Sequence, residues 1–383
     1  MNYITDIITK VGILPLIMAT FSIIASIDRI FGNKLGLGKE FEKGIHMLGV
    51  MGLSMVGMIV ISPLIARLSQ PLIDIVANNT PIDPSLIPAS LFANDMGGDL
   101  LARELALNEK IGFYNGLVVS SMMGCTISFT IPFGLGAVDK QHHKEVLLGF
   151  LCGIVTIPVG CFVGGIIAGV PMASLIVNTI PLTVLAVVIA IGLMLAPEMC
   201  IKIFGVLGKI INVIIIIGLS LGILTCLTGI APIKRLYTYE GDAGIIILKA
   251  AATMSGAFPL IFTVTKLLNK PLARLGKVIG INPVSAVGFV SSLASSALTF
   301  PKMPEMDKKG IVMNSAFCIS GAFLLAAHLS YTLAINPEYV APVLTGKIVA
   351  GILSILLAAF MYGRIYKNKN TDIKTEEAVN TAV

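Results

Sequence analysis

Charge is scarce in this sequence: 13% of its 383 residues are Asp, Glu, Lys or Arg, against about 25% in an ordinary soluble domain. A chain that is also 56% hydrophobic cannot hide its apolar surface from water. That excludes a soluble protein and leaves a polytopic membrane protein. The six cysteines (Cys125, Cys152, Cys161, Cys200, Cys226 and Cys318) form no C-x-x-C and no Cys/His metal spacing, so they read as small buried hydrophobes. There is no P-loop, which argues against ATP hydrolysis, and no H-E-x-x-H or nucleophile–base pairing to mark an enzyme. No polar stretch is long enough for a soluble domain, and 69–83 and 230–243 read as loops. The basic region at the N-terminus is too weak, and the apolar run too long, for a cleavable signal peptide. The net charge of +6 lies mostly in loops, a pattern of membrane orientation that needs no nucleic acid. No catalytic residue, metal or cofactor is expected.

What the sequence does contain is a set of long apolar runs and two interruptions. The runs place spans near 11–31, 44–68, 111–136, 146–169, 174–196, 205–229, 244–268, 310–335 and 341–363, each long enough to cross a hydrocarbon core of about 30 Å. Asp83-Pro84 starts a short helix, with a carboxylate at the N-cap and proline at the first helical position. Asn94-Asp95-Met96-Gly97-Gly98 then breaks it, because paired glycines and turn-forming Asn and Asp disfavour a helix interior. A second short, small-residue stretch, Pro283 to Pro301, lies between the seventh and eighth spans. Read as re-entrant hairpins, the two leave 19 of the 27 lysines and arginines on one face. Read as crossing helices they give eleven spans and a weaker split. The expected fold is therefore all-α, with about nine transmembrane helices and two re-entrant hairpins, the C-terminus cytoplasmic.

A shift of 199 to 200 residues brings Asp83-Pro84 onto Asn282-Pro283, Asn115 onto Asn314, and Leu68-Ser69-Gln70-Pro71-Leu72 onto Leu268-Asn269-Lys270-Pro271-Leu272. This punctuation predicts an inverted repeat: a first unit at 1–173, a linking span at 174–200, a second unit at 201–366 and a disordered cytoplasmic tail at 367–383. Substrate is expected near mid-membrane where the units meet. Gly160-x3-Gly164, Gly165-x3-Gly169 and Gly218-x3-Gly222 let helices approach closely, within the chain or in a homodimer.

A carboxylate in the hydrocarbon region costs about 2.5–3.5 kcal/mol, so it faces a cavity or a partner. Asp95, in the break, is the leading candidate counter-charge for a small cation, and carbonyls at Gly97-Gly98 add acceptors. Asp99 can serve the same end or pair with Arg103 at i,i+4; Glu104 lies deeper in the second half-helix or at the outer surface. Asn94 and Asn115 can bond a hydroxyl or ammonium, or satisfy backbone at the breaks. Ser295 and Ser296 supply hydroxyls from the second hairpin, and His328 is the histidine inside a late span. Asp28-Arg29 reads as a local, snorkelling pair.

At these residues the sequence resembles the bacterial ethanolamine permease family, the EutH proteins of ethanolamine-utilisation operons. The resemblance covers about residues 20–365 and is carried by Phe41-Glu42-Lys43-Gly44, Asp95-Met96-Gly97-Gly98, Ala102-Arg103-Glu104-Leu105 and Ser121-Met122-Met123-Gly124. The stretch from Gly153 to Cys161 (GIVTIPVGC) and Met306-Asp307-Lys308-Lys309-Gly310 also match. It implies movement of ethanolamine across the cytoplasmic membrane, with the lipid bilayer and the small solute as the partners. Two departures from the family pattern stand out: Ser295-Ser296 where Asn-Asn is expected, and Ala327 where an Asp is typical.

Overall fold

The computed structural model describes residues 12–230 and 242–380. Among these residues every regular element is helical. The chain runs through α1 (Ile13–Ile30) and α2 (Leu37–Asn79), then the first hairpin, made of α3 (Leu86–Leu91) and α4 (Gly98–Leu105). It continues through α5 (Glu109–Ala137), α6 (Lys140–Ile167) and α7 (Met172–Leu195) to α8 (Pro197–Thr228). Then come α9 (Asp242–Ile279), α10 (Pro283–Ala294), α11 (Lys308–Ser320), α12 (Ala327–Ile335) and α13 (Val340–Asn380). Eight helices among the described residues are long and apolar enough to span a bilayer. The ninth expected span, 310–335, is split into α11 and α12 by six unwound residues, 321–326.

The two interruptions are hairpins whose ends are tied together, and this removes the eleven-span alternative. The Asp83 carboxylate, at the entrance to α3, accepts from Leu107 N at 3.2 Å, beyond the exit of α4, as well as from Ser85 Oγ at 2.5 Å. In the second hairpin Asp307, at the exit, accepts from Asn282 N at 2.7 Å and Ser285 Oγ at 2.8 Å, both at the entrance. A helix crossing the membrane could not join its ends this way. Asp and Asn exchange places between the halves: Asp83 and Asn108 in the first correspond to Asn282 and Asp307 in the second. Asn115 donates to Ser85 Oγ, and Asn314 donates to Ser285 O, at 2.8 and 2.9 Å. The repeat read from punctuation is thus also a repeat of bonds. Five crossings, α5 to α9, separate the hairpins, so they enter from opposite faces.

Asp307 also caps α11 by accepting from Gly310 N at 3.1 Å. Asp307→Ala is expected to strand three donors and cost roughly 3 kcal/mol. A thermal melt in detergent reads this as a lower midpoint, with Asp307→Asn between the two; equal midpoints for Ala and wild type would discard the clasp.

Two local expectations are corrected. Residues 69–79 are not a loop: α2 runs on to Asn79 through Pro63 and Pro71. The other expected loop, 230–243, falls largely on 231–241, outside the described residues. Asp28 and Arg29 are not a mutual pair. Asp28 accepts from Leu35 N and Gly38 N at 2.8 and 3.0 Å and closes the α1–α2 turn, while Arg29 reaches Glu42. The glycine motifs pack inside the chain, where Gly218 lies on the Gly57 carbonyl and Gly160 on Gly346.

Candidate functional site

The first hairpin turns where Phe92 leaves the helix and Gly97 takes φ +99°, a left-handed conformation that suits glycine. Gly98 follows with its α-carbon against Ser120 Oγ and the Phe92 carbonyl, leaving no room for a side chain. Ser120 Oγ donates to Phe92 O at 2.5 Å, and Ala93 O accepts from Met96 N and Gly98 N at 3.0 and 2.9 Å. Carbonyls freed by the break are therefore largely satisfied within the protein. To make this contact α5 is wound as a π-helix over Tyr114–Gly124, every residue of it buried; such wider turns recur at functional sites.

The second hairpin breaks at Ser295, whose backbone is extended. Here the neighbouring span is opened to match. Phe323 N donates to Ser292 O at 3.0 Å and Leu325 N to Leu293 O at 2.9 Å, so the unwound 321–326 segment takes the last carbonyls of α10. Phe323 reaches φ +61° in the process.

Between the two tips lies a cavity of about 720 Å³. Asp95 and Met96 enter it from the first hairpin, Ser295 and Leu298 from the second, and Phe323 and His328 from the opened span. Cys125 and Phe129 of α5 close the wall, and the mouth runs past Glu40, Lys43 and His46 at the start of α2. That end of α2 lies on the face from which the second hairpin enters, so the cavity opens to that face. Its volume is within the range of small-molecule sites.

Among the described residues the Asp95 carboxylate makes no side-chain hydrogen bond and no ion pair. It lines the cavity together with Phe129 and Phe323, which stand edge to face at 5.7 Å. A carboxylate beside aromatic faces is the chemistry that holds a small ammonium ion. Ser295 Oγ accepts from Ala297 N at 3.2 Å, which leaves its hydroxyl proton for a ligand. The His328 ring stacks on Phe323 at 4.9 Å, and its Nδ1 has no partner.

The other candidate residues lie outside the cavity wall. Asp99 is fully buried and occupied: Arg103 Nε donates to both its oxygens at 3.0 and 3.1 Å, and Tyr331 Oη donates to Oδ2 at 3.0 Å. Glu104 is exposed, and Gly97 and Gly98 are buried at the turn. Asn115 holds the entrance of the first hairpin. Asn94 and Ser296 are each the first residue of the short turn at a hairpin tip, and their buried polar atoms have no partner. Reasoning from sequence missed the aromatic wall and Lys347, an ammonium only 1% exposed in α13. A single lysine within an otherwise apolar run was the available signal.

Fold and site together define a multi-span helical membrane protein with two opposed re-entrant hairpins and an interior cavity between them that a carboxylate lines. A family described as "Ethanolamine utilisation protein, EutH" matches residues 11–361, and the chain belongs to that family. A Listeria monocytogenes protein named "Probable ethanolamine permease EutH" is 39% identical over 359 residues, 94% of this chain and 96% of the relative. Its Salmonella typhimurium namesake is 34% identical over 401 residues, covering 95% and 98%. The Bacillus subtilis "Uncharacterized protein YxeR" is 34% identical over 346 residues, covering 90% and 93%. No solved structure matches the chain.

Proposed function

We propose that this chain moves ethanolamine across the bacterial cytoplasmic membrane, as a secondary transporter or facilitator rather than an enzyme. The observation that carries the reading is the Asp95 carboxylate, without a side-chain partner among the described residues, in a cavity shared by both hairpin tips. Ethanolamine is an ammonium at neutral pH, so Asp95 and the faces of Phe129 and Phe323 suit its charged end, and Ser295 Oγ suits its hydroxyl. The names of the relatives support the same substrate. Relative motion of the two repeat units, 1–173 and 201–366 about the linking span 174–200, would carry the site from one face to the other. The charge tally supports a cytoplasmic C-terminus, and with it a cytoplasmic mouth.

Uptake of labelled ethanolamine into proteoliposomes, with and without an imposed proton gradient, tests the reading. Saturable uptake that other two-carbon amines inhibit is expected. A second reading, a permease for another small amine, is favoured by Ser295-Ser296 and Ala327; transport of such an amine with no ethanolamine uptake would select it.

A further inference from the structure

Lys347 lies outside the cavity lining, yet a buried ammonium is among the costliest side chains an interior can hold. It sits in the last span with its side chain 1% exposed, and a lone ammonium at such depth needs compensation. Among the described residues its one hydrogen bond runs from Nζ to the carbonyl of Ala322, at 2.9 Å. No carboxylate lies within ion-pair distance of it there. Ala322 directly precedes Phe323, so Lys347 stands immediately behind the cavity wall.

The titratable groups whose charge bears on it are Cys125 of α5, Cys161 of α6, His328 of α12 and Asp95 of the first hairpin, the one carboxylate among them, and the turn that carries Asp95 packs against α12. Neutral thiols and an imidazole do not balance an ammonium. The interior thus holds one carboxylate lining the cavity and one ammonium behind its wall, neither with an ion-pair partner among the described residues. In a poorly screened interior such charges interact well beyond contact distance.

We propose that Lys347 is a resident counter-cation for Asp95, a positioning residue that sets how tightly the site holds an ammonium solute. An arriving ammonium meets a carboxylate already partly neutralised and is repelled by Lys347, so it binds loosely enough to leave again. The inference rests on the reading of Asp95 as the cation site. A mere clamp on Ala322 would need only a donor, and glutamine can supply that; the counter-cation role needs the charge.

The test is ethanolamine binding to the purified, full-length protein by calorimetry, together with turnover in proteoliposomes, for wild type, Lys347→Gln and Lys347→Met. Both variants are expected to bind ethanolamine about tenfold or more tighter, within the usual range of site-to-site coupling, and to turn over more slowly because release is impaired. Binding unchanged or weakened in both variants overturns the inference, as does a normal Lys347→Gln beside an impaired Lys347→Met. Failure of wild type to bind ethanolamine overturns instead the reading on which it rests. A thermal-melt cycle with Asp95→Asn needs no ligand and covers poor folding of a single variant. The double variant Asp95→Asn/Lys347→Met is expected to melt above the sum of the two single losses, and strict additivity would show that the two charges do not see each other.

Discussion

Replacing Asp95 with asparagine is expected to lower ethanolamine uptake by about 30-fold or more, the consequence of truncating one partner of a desolvated charge pair, worth roughly 2–5 kcal/mol. The isostere keeps the shape of the hairpin tip. No neighbouring side chain loses a hydrogen bond, because among the described residues none reaches the carboxylate. The protein should therefore stay folded while its charge preference disappears. Proteoliposome uptake beside a thermal melt separates the two effects. Normal uptake by Asp95→Asn would mean that the ammonium sits elsewhere, and the tip residues Asn94 and Ser296, whose polar atoms have no partner, would be the next to change.

The elements that could be read from sequence are those set by local composition. Long apolar runs become spans because no other solvent than lipid accommodates them. The first hairpin was legible because Asp83-Pro84 starts a helix and Gly97-Gly98 ends one, whatever surrounds them. The break at 321–326 was not legible. Gly321-Ala322-Phe323-Leu324-Leu325-Ala326 is as apolar as any helix interior, and it unwinds only because the end of α10 offers the Ser292 and Leu293 carbonyls to Phe323 and Leu325. That partner lies about 30 residues away in the chain, outside any local window. The same limit applies within the site. Asp95 announces itself as a carboxylate in a break, but which carboxylate is free depends on who reaches it. Asp99, four residues on, looks equivalent in sequence and is taken by Arg103 and by Tyr331, 232 residues distant. Phe129 and Phe323 are two among 17 phenylalanines, and nothing local distinguishes a cavity wall from a core.

Arg103→Ala is expected to be the most destabilising change near the site. The Asp99 side chain is 0% exposed and carries a full set of partners: the guanidinium through Nε and through an Nη2 contact at 2.9 Å, and the Tyr331 hydroxyl. The guanidinium in turn lies over the Phe113 ring, 5.2 Å from its centroid. Removing the arginine leaves a buried carboxylate with one hydroxyl, a loss of about 3–5 kcal/mol, whereas Arg103→Ala/Asp99→Asn should recover much of it in a melt. The cluster also has a mechanical consequence. It joins α4 of the first hairpin to α12 of the second half, and the cavity lining stops short of it, at Met96 and His328. It therefore stands between the cavity and the face from which the first hairpin enters. The gentler Tyr331→Phe breaks only the bond between the halves. Labelling of Cys125, in the cavity wall, by an impermeant thiol reagent applied from that face should rise several-fold in this variant, with the fold otherwise intact. If Cys125 stays equally protected, the Asp99–Tyr331 bond braces the hairpin without closing the path, and the closure lies in the packing of α4 against α5.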